Sequence, residues 1–332
     1  MLELRENELV FSFPQVHAMA ECRIHFQRTL RIPDDNREYP LPPGLGEFPV
    51  EHVDDHASRL PAEWSERGGV LLPMYQAEAL WISFSGNVDY PFAVKIAAGK
   101  VNAVTGAPWR DALYGDPQDY LVVPGQPWLD GFCVRKGLVR QFVAMPLGAG
   151  YTAEEQLTGA AEHGGLQVIA YPMKREHYEA MERSRTLAFH ERPAFSLRQG
   201  CAEPSMGLAP GGLMRQTINR DRHGLDAWDL TAGSRCFVHL LNSTQWRSAT
   251  GKPVPTRPPT AAAYARAGLP WFQHYDDAAA PLAGAQPLAQ LDSVAAMAIK
   301  QGERPLADNE PVAPAMVIKL GPETACVKDG AW

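Results

Sequence analysis

His52-Val53-Asp54-Asp55-His56 is the densest group of potential metal ligands in the chain. On an α-helix, His52 and His56 would share a face four residues apart. Two imidazoles there, with a carboxylate from Asp54 or Asp55, could hold a divalent metal for hydrolysis. The segment follows a Pro- and Gly-rich stretch and has no third histidine at a recognisable spacing, so a solvated loop or helix start competes with the metal reading.

Three Pro-Trp pairs offer a different chemistry. Pro108-Trp109-Arg110-Asp111, Pro127-Trp128-Leu129-Asp130 and Pro270-Trp271-Phe272, which leads to Tyr275-Asp276-Asp277, each set an indole near a carboxylate. An indole face packs on the apolar C–H face of a sugar while a carboxylate accepts hydroxyl protons; aromatic residues beside turns equally anchor protein interfaces. The candidate ligand or interface residues are therefore Trp109, Asp111, Trp128, Asp130, Trp271, Phe272, Tyr275 and Asp276. The plainer alternative is that each tryptophan plugs a loop onto the core.

The common catalytic signatures are missing: no GxSxG elbow, no GxxxxGK(S/T) phosphate loop, no HExxH, and no GxGxxG after a strand. Gly148-Ala149-Gly150-Tyr151-Thr152 leads into a capped helix whose first amides could hold an anion, but its spacing fits no nucleotide fingerprint. Asp119, Asp130, Glu154, Glu155 and Asp229 are available for acid–base work, and the sequence gives no means of pairing two of them across a substrate. Cys236 and His239, three apart on one strand, point to opposite faces and cannot form a thiolate–imidazole pair.

The elements that must position these residues are mostly strands. Residues 22–32 alternate apolar and polar, the pattern of a half-buried strand, and Pro33-Asp34-Asp35-Asn36 ends it. Strands at 80–85, 120–123, 138–145 and 166–171, with a 93–98 and 100–105 hairpin around Gly99, form a central group. A second set covers 213–218, 228–231 and 235–241. Prolines 40, 42 and 43 keep 39–50 extended. Helices are few. Thr152 with Glu155 makes a capping box, 175–185 is polar and helical, Thr260 caps 261–267 with Gly268 beyond, and a last helix covers 288–300.

The segment Pro253-Val254-Pro255-Thr256-Arg257-Pro258-Pro259 reads as a stiff linker, and a softer break lies near 192–212. The division is a β-rich main domain over 1–192 and a second β-containing region over 205–332, or one continuous domain. Pro and Gly together make 57 of 332 residues, about 17% against the usual ~12%, which implies many turns between short elements.

Lys and Arg number 31 against 38 for Asp and Glu, a net charge of −7, without the basic stripe of a nucleic-acid binder. Arg23, Arg28 and Arg31 read as a strand face, and Arg220, Arg222 and His223 as a loop. Five widely spaced cysteines with no CxxC pair point to reduced, buried thiols and a cytoplasmic location. The opening residues lack a basic-then-apolar leader, and no run of about 18 apolar residues occurs.

The expected fold is a β-rich α+β protein, antiparallel sheets packed as a sandwich with few short helices and long ordered loops. The expected function is a non-catalytic cytoplasmic binding or self-assembling, homo-oligomeric protein without a cofactor. A metal-dependent hydrolase using His52 to His56 and a soluble carbohydrate binder are the alternatives. The expected partners are copies of the chain or another protein, with a small molecule or sugar as ligand, no nucleic acid and no membrane span.

Overall fold

Cys22, Ile24 and Phe26 alternate with Arg23, His25 and Gln27, and the chain there forms the strand Glu21–Thr29 with the three apolar side chains buried. In the computed structural model, which describes residues 1–86, 90–185, 206–253, 255–274 and 280–320, this strand organises a broad antiparallel ladder. It pairs with Glu8–Ser12 and Gly44–Glu47 on one side and with Ala79–Gly86 along its length on the other. Leu138–Pro146 follows, joined to Ala79–Gly86 at two residues and to Met206–Arg215 throughout.

A second ladder runs from Phe92–Ala98 through Leu166–Pro172 and Ser234–Leu241 to Val70–Pro73, the last join being parallel. The two ladders meet at a single residue pair, Met206 with Leu240. Leu9, Phe11, Ile24, Phe26 and Ile82 from the first share one apolar cluster with Phe92, Val94, Ile96 and Val168 from the second. That common interior is what a packed sandwich requires. Strands hold 37% of the described residues and helices 19%, so the fold is β-rich α+β.

Irregular segments lie flat on this frame because buried side chains supply the hydrogen bonds that a ladder would. Gln141, fully buried, donates to the Leu30 carbonyl and accepts from the Ile32 amide. Gln126 donates to the Trp128 and Thr217 carbonyls and accepts from the Asn219 amide, and Gln216 bonds the backbone on both sides of Leu129. Residues 255–259 are strapped to the main sheet: the Arg28 guanidinium donates to the Thr256 carbonyl and the Tyr75 hydroxyl to that of Pro255.

The expected helix ends are present. Thr152 and Glu155 form a reciprocal capping box, and the Thr260 hydroxyl accepts the Ala263 amide. The helix expected over 288–300 is two, Gln286–Ala289 and Val294–Lys300, because Ser293 caps the second and so interrupts the run. At 228–231 there is only an isolated bridge, Trp228 with Met173. The hairpin at Gly99 is real: Gly99 and Lys100 both adopt positive φ, the geometry of a tight two-residue turn.

Candidate ligand-binding site

The His52 to His56 group does not form the helical face on which the metal reading rests. His52 ends the short strand Glu51–His52, whereas Asp54, Asp55 and His56 belong to the 3-10 helix Asp54–Arg59. The break falls at Val53, which is fully buried against Trp64 and Trp246 and fixes the segment by packing. His52, Asp54 and Asp55 are exposed, and His56 turns to Glu51 at 3.6 Å. Among the described residues, no three His, Cys, Asp or Glu side chains converge on a metal position.

The tryptophans resolve into three separate packing roles. Trp109 donates its indole N–H to Asp111 at 2.7 Å, and Trp128 donates to Asp130 at 2.6 Å, so each carboxylate is engaged by the indole two residues before it. Trp109 and Tyr114 flank the buried Lys95 ammonium, which bonds Asp119 at 2.6 Å and the Ala112 carbonyl. Trp128 meets Trp81 and His274 edge-on, beside a cavity of about 30 Å³ that is large enough for water only. Trp271 is completely buried against Tyr39 and Tyr264 and offers no face to a ligand. Phe272 bridges to Leu41 in the ladder, half-buried. Tyr275 and Asp276 lie outside the described residues.

The acid–base candidates are likewise occupied. Glu154 is buried and accepts amide protons from Glu162, His163 and Gly164. Glu155 fills the anion-binding turn with its own carboxylate, accepting from the Gly148, Gly150 and Thr152 amides and from the Thr152 hydroxyl. Asp229 accepts from Thr231. Burial pushes Asp130 up to about 7, and pushes the thiols of Cys22 and Cys236 up to about 12 and that of Cys133 to about 11, where none is a nucleophile at neutral pH.

A roomier site lies elsewhere, in a 640 Å³ cavity between residues 104–105, 115–120, 220–225 and 282–287. Its floor is a locked polar cluster. Asp221 Oδ2 accepts from the Tyr120 hydroxyl at 2.6 Å and from the Trp228 indole at 2.9 Å, while Oδ1 accepts the His223 amide at 2.7 Å. Gln118 ties the two loops together, donating to the Tyr120 and Asn219 carbonyls and accepting the Asp221 amide at 2.7 Å. Burial first, then Asp221, raises the Tyr120 phenol, so it stays protonated and donating.

Gly115, Gly224, Ala283 and Gly284 keep the walls low. Gly284 tolerates no side chain, since a Cβ there would lie 2.5 Å from the Arg135 Cα. Asp116 and Arg220 stand exposed at the mouth, and neither side chain has an ion pair among the described residues. Asp221-Arg222-His223 reads in the sequence as a surface triplet. No local pattern announces the contact of Asp221 with Tyr120, which is 101 residues away in the chain. The chain matches no protein-family model, no curated protein and no solved structure.

Proposed function

We propose that the chain is a non-catalytic binding protein that takes a compact polar small molecule in the cavity above Tyr120 and Asp221. The carrying observation is the combination of size and stiffness. At 640 Å³ the cavity falls within the ordinary range for small-molecule sites, and its floor is held by part-buried hydrogen bonds before any ligand arrives. Preorganisation of that kind lowers the entropy lost on binding. Asp116 and Arg220 supply opposite charges at the mouth, which suits a zwitterionic or hydroxyl-rich ligand.

The test is a thermal-denaturation screen of the full chain against amino acids, neutral sugars and small dicarboxylates. One class should raise the melting temperature by a few degrees at saturating concentration, since a ligand at 100 times its Kd adds about 2.7 kcal/mol. A flat response across all three classes argues against the reading.

Self-assembly is the second reading, favoured by one observation. Among the described residues, Val317–Leu320 pairs only with Trp271–His274, in a two-stranded parallel ribbon, and all four of its residues are exposed, as is Met316 before it. Trp271 and Phe272 anchor one strand of the ribbon to the core and to Leu41, which leaves the exposed strand Val317–Leu320 as a pairing edge. Light scattering at two concentrations tests it: a discrete oligomer supports assembly, and a monomer at both removes it.

A further inference from the structure

The strap over residues 255–260 roofs a second cleft of about 350 Å³, well separated in its residues from the Tyr120 cavity. Two guanidinium groups face it. Arg31 donates to the Asn309 side-chain oxygen at 2.7 Å and to the Ala307 carbonyl at 2.6 Å, both neutral acceptors. Asp34 and Asp308 act on Arg31 only from longer range. Asp34 is committed to the Ala295 amide and lies 3.5 Å from Arg140. Burial outweighs both carboxylates and draws the Arg31 pKa down, as befits a cation short of counter-charge. Arg257 lies over the Tyr75 ring at 5.4 Å and has no carboxylate partner among the described residues.

The acidic group at the base cannot supply the missing charge. Glu78 is buried and already neutralised by Arg28, whose Nε and Nη2 reach Oε1 at 2.7 and 2.5 Å, and its Oε2 accepts the Tyr75 amide. Asp308 lines the same cleft, is exposed, and acts on Arg31 more than Asp34 does, so it offsets part of the charge. Between the charges the wall is largely apolar, with Ala77, Pro258, Pro259, Leu306 and the Tyr75 ring beside Gln76 and Thr260. In a chain of net charge −7 this sets two guanidinium groups, neither in an ion pair with a carboxylate among the described residues, beside a largely apolar wall.

We infer that this cleft binds a small organic anion, with its carboxylate or phosphate head between Arg31 and Arg257 and a compact apolar body against Tyr75, Pro258 and Leu306. Planar guanidinium forks suit such heads, because two parallel N–H bonds can be made to one group. The inference does not depend on the occupant of the Tyr120 cavity.

Titration calorimetry of the full chain with phenyl phosphate and with benzoate tests it, with benzyl alcohol as the uncharged counterpart. At least one of the two anions should bind saturably, one per chain, and weaken as salt rises, while benzyl alcohol should give no heat. Arg257→Gln and Arg31→Gln should each weaken binding at least ten-fold. Arg257 is a surface residue, so its variant should keep the wild-type melting temperature and decides alone if Arg31→Gln lowers it. Absence of saturable binding by both anions, equal binding of benzyl alcohol, or unchanged affinity in Arg257→Gln overturns the inference.

Discussion

Asp130 gives the sharpest quantitative test of how this fold treats its buried polar groups. Its carboxyl is buried, with the Trp128 indole as donor, and among the described residues no charged neighbour offsets the loss of water. Burial raises it from an ordinary 3.8 to about 7, the indole bond pulling weakly the other way. The folded chain therefore keeps a proton that the unfolded chain releases near pH 3.8. Stability from this group is fully present below that pH and is lost as pH rises through about 7. A rise of about three pH units corresponds to about 4 kcal/mol at 1.36 kcal/mol per unit. Asp130→Asn keeps an oxygen for the indole and cannot ionise. Urea unfolding of both proteins from pH 4 to pH 8.5 measures the difference, in which groups common to both cancel. The variant should gain on the wild type by about 2 to 4 kcal/mol across that range. A pH-independent difference would refute the argument that desolvation governs this site.

Three further outcomes follow from the same packing. His239, stacked between Trp64 and Phe237 with Nε2 on the Gly68 carbonyl, is held neutral and lowered to about 4 by burial. It should cost the fold up to about 3 kcal/mol as pH falls from 6.5 towards 4, and its imidazole NMR shifts should stay unprotonated at pH 5.5. Glu155→Ala strips the acceptor from the Gly148, Gly150 and Thr152 amides and should destabilise by about 2 to 3 kcal/mol in urea unfolding. Glu78→Gln removes the carboxylate that the buried Arg28 guanidinium bonds and should destabilise by about 3 kcal/mol, read as a lowered urea midpoint.

Much of the fold is legible in the sequence where local chemistry decides it. The alternation over 22–27, the Gly99 turn and the Thr152 cap each depend on residues within a few positions, and each appears as read. The strand Met206–Arg215 reads as loop over its first half, because Pro210, Gly211 and Gly212 look like breakers. In the fold those glycines allow close approach: a Cβ at Gly211 would lie 2.5 Å from Val143 and one at Gly212 2.4 Å from the Pro33 carbonyl. Such contacts are set by distant strands, which composition does not reveal.

The candidate site was less legible for the same reason. The sequence draws the eye to Trp-Asp spacings and a histidine pair, residue types that carry chemistry when exposed. Trp109 and Trp128 spend their indole N–H groups on Asp111 and Asp130, and Trp271 is sealed in the core. The cavity floor is built by Gln118, Tyr120 and Asp221, which look unremarkable until two loops about a hundred residues apart are brought together.

Calorimetric titration of the best-scoring ligand class into wild type and Ala283→Phe tests the binding account most directly. Ala283 lines the 640 Å³ cavity and takes no part in its floor, so a phenyl ring there fills space without breaking a floor hydrogen bond. The account predicts one saturable site per chain in the wild type and at least ten-fold weaker binding in a variant of unchanged melting temperature. Equal affinity in both proteins would place the ligand elsewhere and contradict it.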